Sequence, residues 1–112
     1  MDIAITDKII KPHIPEGSLV CSNEGEALAI AAGHWFATLD RANVYMSADG
    51  FCNAMNFLTS WIMPSEIEMN INISTGRTEP SHKVMTDILP ELLELIDYDP
   101  EKLLIQLVWK KS

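Results

Sequence analysis

The chain has 112 residues, with 8 Lys and Arg against 16 Asp and Glu, and a formal net charge of −8. At 47% apolar and 21% charged residues it has the composition of one small globular domain, residues 1–112, and not of a disordered tail. So acidic a chain is not built to hold partners by neutralising phosphates, which argues against nucleic acid and anionic membrane surfaces.

The two cysteines, Cys21 and Cys52, sit in apolar sequence and lack the framework spacing of a disulfide-stapled secreted domain. They read as reduced thiols. Acidic Asp2 and Asp7 interrupt the apolar core that a signal peptide would need, and no window reaches the roughly 18 apolar residues of a membrane span. The expectation is a cytoplasmic protein.

In chain order, residues 3–11 suit a short helix carrying Ile5, Ile9 and Ile10, stopped by Pro12 and Pro15. Residues 18–22 form a short apolar run that suits a buried strand. A helix over 24–38 follows, with Asn23 as N-cap and Glu26 in the capping-box position. Residues 42–47 read as a strand, Asp49-Gly50 as the turn after it, and 51–63 as a second apolar helix ending before Pro64. Residues 67–74 alternate apolar and polar with period two, the clearest strand signal in the chain. A polar loop from Thr75 to Pro80 leads to a helix over 81–97, which Pro90 should kink or split. Residues 103–109 suit a last strand or further helix. Alternating strands and helices imply an α/β fold, a parallel sheet of about four strands flanked by helices.

From Ala27 to Gly33 every residue of the 24–38 helix is small or apolar, so no solvated stripe exists there. An oligomer interface is the expectation for a helix of this kind in so short a chain. Walker, dinucleotide and Gly-x-Ser-x-Gly patterns are absent, and His13, His34 and His82 lack helical zinc spacing. A thiolate at Cys52 would gain from a nearby helix start, although a small buried hydrophobe is the commoner role. Glu24 and Glu26 stand out because they open a nearly all-apolar helix just beyond a strand end, where parallel α/β sheets bind ligands. Carboxylates in a first turn also complement the helix dipole. Helical phase does not choose between them, since they lie about 200° apart and both faces are apolar.

The run Asn23-Glu24-Gly25-Glu26-Ala27-Leu28-Ala29-Ile30-Ala31-Ala32-Gly33-His34 resembles the Asn-Glu-Gly…Ala-Ala-Gly-Tyr segment of thiamine-diphosphate-dependent decarboxylases, with the sulfopyruvate and phosphonopyruvate decarboxylases the near match. Residues Val44 to Asn56 look like that family's Val-Tyr-Met-Gln-Asn-Ser-Gly-Leu-Gly-Asn-Ala-x-Asn, and Gly76-Arg77-Thr78-Glu79-Pro80-Ser81-His82 like a shortened Gly-Arg-Gly-Glu-Pro…Gln-His. The three blocks cover most of residues 18–97 in the family's order.

The resemblance implies a pyrimidine-binding (PYR) domain and an α subunit. A partner β subunit would hold the cofactor's diphosphate and Mg²⁺, because the Gly-Asp-Gly motif that does so is absent here. It places Glu24 on the cofactor-activating glutamate, with Asn23, Gly50 and Asn53 also at the cofactor and no metal ligand in this chain. Such a glutamate hydrogen-bonds or protonates the pyrimidine ring nitrogen, which would call for a raised pKa in an apolar setting. Arg77 and His82 become candidates for binding a 3-sulfo- or 3-phosphonopyruvate-type substrate in a non-oxidative decarboxylation. Two departures stand out. Gly50-Phe51-Cys52 replaces Gly-Leu-Gly, and the family's opening strand and helix are expected to be missing. They motivate an alternative: a non-catalytic interaction protein that keeps a degenerate PYR fold.

Overall fold

The computed structural model describes residues 1–6, 10–75 and 80–108. These form a five-stranded, all-parallel sheet: β1 (Asp2–Ala4), β2 (Leu19–Val20), β3 (Asn43–Ser47), β4 (Met69–Ser74) and β5 (Leu103–Val108), in the spatial order β2-β1-β3-β4-β5. Between them lie a 3₁₀ turn (Lys11–His13), α1 (Glu24–Thr38), α2 (Ala48–Asn53), α3 (Met55–Phe57) with a π-helical turn (Leu58–Ile62), and α4 (Pro80–Ile96).

Topology decides where the helices go. The chain steps one way from β1 to β2 and the other way from β2 through β3 and β4 to β5. Right-handed crossovers therefore put the last three connections on one face of the sheet. The core agrees: Ala27, Leu28, Ala31 and Ala32 of α1, Phe51 of α2, Leu58 and Ile62 of the π turn, and Leu89 and Leu93 of α4 join one cluster. That cluster meets Ile3, Val44, Met46, Met69, Ile71, Ile73 and Leu103 from the sheet.

The opposite face is a different surface. Register sets Asp2 beside Asn43 and Asn70, and Tyr45 beside Asn72 and Gln106. Asn70 donates to Asn43 Oδ1 at 3.0 Å, and Asn43 donates to Asp2 Oδ1 at 3.2 Å, so the amides satisfy one another across three strands. Parallel sheets usually bury both faces. Here, among the described residues, only the β1–β2 connection belongs to this side, and it carries no α-helix.

Several expectations change. An opening strand is present, since β1 pairs with both β2 and β3 in the middle of the sheet, where a helix over 3–11 was expected. Its three residues are too few to show a period, whereas Ile5, Ile9 and Ile10 mimic helical spacing; residues 7–9 lie outside the described residues. β2 is no buried strand: Leu19 and Val20 stand on the sheet edge, 43% and 61% exposed. Asp49-Gly50 is not a turn but part of α2, because Ser47 ends β3 and caps the helix directly, its Oγ accepting from Gly50 N at 3.2 Å. The expected 51–63 helix starts three residues early and breaks at Ala54. α4 runs through Pro90 without splitting, the proline lying on its exposed side.

α1 matches its expected bounds. Asn23 Oδ1 accepts from Glu26 N at 2.9 Å, and Glu26 Oε1 accepts from Ser22 N at 3.2 Å, a reciprocal cap. The buried stripe of α1 faces the sheet, while Ala29, Gly33, Phe36 and Ala37 remain exposed, with Phe36 against Trp61 at 5.9 Å between ring centroids.

Arg41 ties together the N-terminal ends of three strands. Just ahead of β3, its guanidinium reaches Glu68 Oε1 at 2.7 Å, Asn70 Oδ1 at 3.5 Å and Lys102 O at 3.2 Å, and it also donates to Glu101 O. Lysine keeps the charge and loses the fork. Arg41→Lys should therefore lower the unfolding free energy by about 1–3 kcal/mol. Urea denaturation reads this as a lower midpoint at unchanged slope. Lys83→Ala, which removes an exposed pair with Asp87, should change stability by under about 0.5 kcal/mol.

Candidate functional site

In a sheet of this order ligands bind beyond the carboxyl ends of the strands, where the chain reverses direction between β1 and β3. The C-terminal end of β3 leads straight into α2, and the first turn of α1 lies against it. At their meeting point a side chain on Gly50 would be tightly crowded. A Cβ there would stand 3.0 Å from Glu24 Cδ, 3.2 Å from Glu24 Cγ and 3.0 Å from Ser47 Oγ. Glu24 thus crosses directly over the α2 backbone, and its Oε1 accepts from Asn53 Nδ2 at 3.1 Å.

Those contacts separate the two glutamates. Glu26 is occupied by the helix cap, whereas Glu24 turns toward α2 and is half-buried. Its setting is less apolar than expected, since its partner is an amide and not hydrocarbon. Of the four residues expected at a cofactor, Glu24, Gly50 and Asn53 come together. Asn23 is exposed, and its side chain is committed to capping α1.

His82 reaches the same end of the molecule by another route. From the first turns of α4 its Nδ1 lies 2.6 Å from Asp49 Oδ2, and each side chain is about a quarter exposed (30% and 25%). The two side chains are in close contact, but the contact does not have hydrogen-bond geometry. Asp49 Oδ1 accepts from Ser47 Oγ at 3.1 Å, which fixes the carboxylate. Asp49 was not singled out from sequence, although it stands one residue before Gly50 where the resembled family has serine. Thr75, at the end of β4, is 5% exposed, and its Oγ1 has no hydrogen-bond partner among the described residues. Arg77 lies outside the described residues.

The cysteines play no reactive part in this geometry. Cys52 points onto the apolar core, and burial, then the Asp49 charge, push its thiol above the ordinary range. This agrees with the reading of Cys52 as a small hydrophobe and not as a stabilised thiolate. Cys21 is buried and raised as well, by burial first and then by Glu26. The Gly-to-Cys52 departure places its side chain on the core side, and the glycine that close approach demands, Gly50, is retained.

Among the described residues no group of three His, Cys, Asp or Glu side chains is arranged to hold a metal ion, and no helix is long and apolar enough to cross a membrane. A scan against protein-family models and a search of curated proteins return no match.

Gly50 supplies a direct check of the site. Gly50→Ala forces a methyl into the Glu24 and Ser47 contacts and should lower stability by about 1–3 kcal/mol. Gly33→Ala, on the open face of α1 with nothing within 4 Å of its Cβ, should raise it by about 0.5–1 kcal/mol. Thermal unfolding of the two variants in parallel should shift in opposite directions.

Proposed function

We propose that this chain is the α, pyrimidine-binding subunit of a cytoplasmic thiamine-diphosphate-dependent 2-oxo acid decarboxylase. A β subunit would hold the cofactor's diphosphate and Mg²⁺, and the substrate would be of the 3-sulfo- or 3-phosphonopyruvate type. The observation that carries this reading is the passage of Glu24 over a side-chain-free Gly50 at the carboxyl edge of the sheet, held by Asn53. A carboxyl group beside bare backbone suits a flat, nitrogen-bearing aminopyrimidine. The donor set fits that group: Oε1 of Glu24 is held by Asn53, which leaves the second carboxyl oxygen to face a ring nitrogen.

When bound, the cofactor supplies a nucleophilic carbon and an electron sink for decarboxylation. The chain's own residues do the rest. Glu24 would hold and share a proton at the pyrimidine ring nitrogen, Asn53 fixes the rotamer of Glu24, and Gly50 lets Glu24 lie close over the α2 backbone. His82, steadied by Asp49, is offered with Arg77 to the substrate's second anion. The open face of α1, with Phe36 and Trp61 at 58% and 39% exposure, is the surface expected to meet other subunits.

The experiment pairs turnover with thermal stability in the complex of this chain and its diphosphate-binding partner. Glu24→Gln keeps shape and hydrogen bonding but cannot transfer a proton, so turnover should fall by about 10²–10⁴-fold. Glu26→Gln should leave turnover nearly intact and cost at most about 1 kcal/mol of stability. Equal small effects on turnover would remove Glu24 from the mechanism and favour a non-catalytic scaffold.

A further inference from the structure

The two edges of the sheet differ. β2 is two residues long and follows Pro15 and Gly17, so it offers little to pair with. β5 is six residues long, and among the described residues no strand lies beyond it. Between its ends it has no proline and no charged residue.

The backbone phase of β5 can be read from its ladder. Met69 N donates to Lys102 O at 3.1 Å, and Thr75 N donates to Val108 O at 3.2 Å. In a parallel pair these bonds recur every second residue, so Leu104, Gln106 and Val108 face β4 with their backbone groups. The N–H and C=O of Ile105 and Leu107 consequently point away from the sheet.

The side chains of the same two residues line an open groove of about 590 Å³ between β5 and the C-terminal half of α4. Leu93, Tyr98 and Pro90 complete its apolar wall. Among the described residues, Glu94 and Asp97 are its only charged lining residues, and no Lys, Arg or His lines it. Free strand edge, apolar trough and acidic rim coincide.

We propose that β5 accepts an added β-strand from a partner protein: an extended segment whose aliphatic side chains enter the groove and whose Lys or Arg residues meet Glu94 and Asp97. Backbone pairing supplies the affinity in this mode, and alternate side chains supply the selectivity. A second copy is a poor occupant. It would bring another chain of net charge −8 and the same two carboxylates to this rim. The groove is formed by β5 and α4, whereas the cofactor reading rests on α1 and α2, so the two proposals stand or fall separately.

The test uses two fluorescein-labelled ten-residue peptides, alternating Val with Lys and Val with Glu, titrated against the ¹⁵N-labelled chain. The lysine peptide should bind and slow hydrogen exchange at the Ile105 and Leu107 amides by at least about tenfold, while the glutamate peptide does neither. Reversing the rim with Glu94→Lys and Asp97→Lys together should weaken the lysine peptide at least about tenfold, which corresponds to about 1.4 kcal/mol. Leu107→Pro should abolish the slowed exchange at Ile105, because it removes an outward donor without breaking a β4 bond. The rim variant keeps the test valid if the proline variant fails to fold. No binding by the lysine peptide, equal binding by both peptides, or binding without protection at Ile105 and Leu107 would overturn the proposal. Protection that grows with protein concentration in the absence of peptide would also overturn it, by identifying a second copy as the occupant.

Discussion

One constraint organises the molecule: the chain reverses its direction across the sheet once, after β2. From that point each right-handed crossover lands on the same face, so α1, α2 and α4 lie side by side over one row of strands. Neighbouring helices on one face have their first turns at the same carboxyl edge. The contact of Glu24 with Gly50 and the meeting of His82 with Asp49 both follow from that alignment. Had α2 crossed on the other face, Glu24 would have no glycine to pass over.

The same constraint leaves the reverse face of the sheet with little cover. Asparagine is an uncommon strand residue, yet β3 and β4 carry three, all on this side. Their hydrogen bonds explain the choice. Asn70 and Asn43 relay from the Arg41 guanidinium to Asp2, and Asn72 donates to Val44 O at 3.4 Å, so each amide meets a protein partner while remaining partly open to water. A hydrocarbon face in this position would need a second layer of helices.

Much of this was legible in the residues, and the rest was hidden for physical reasons. The strict alternation of Met69, Ile71 and Ile73 with Asn70 and Asn72 marks β4 clearly, and it also carries a message about layers. A strand buried on both faces would read as continuously apolar, so the alternation itself signals a one-sided sheet. The cap at Asn23 and Glu26 was equally clear, because capping depends only on neighbours four residues apart. β1 was hidden because Ile3 is specified by Val44 and Leu19, far away in the chain, and not by any local period. Pro90 misleads in the same way, since packing of Leu89 and Leu93 holds α4 together across it. At the site, Glu24 and Gly50 could be named from sequence, while the Asp49–His82 pair could not. It joins residues 33 apart with no pattern between them.

Glu24, Gly50 and Asn53 therefore form a small constellation whose shape follows from topology and whose chemistry follows from one carboxylate. The most direct measurement is a titration of the ¹⁵N-labelled chain with 4-amino-2-methylpyrimidine, the isolated ring of the expected cofactor, followed through amide chemical shifts. The account expects weak, saturable shifts at the Gly50 backbone amide and the Asn53 side-chain amide, sharing one dissociation constant and lost in Glu24→Ala. Shifts that do not saturate, that gather at β5 and α4 instead, or that persist unchanged in Glu24→Ala would contradict it.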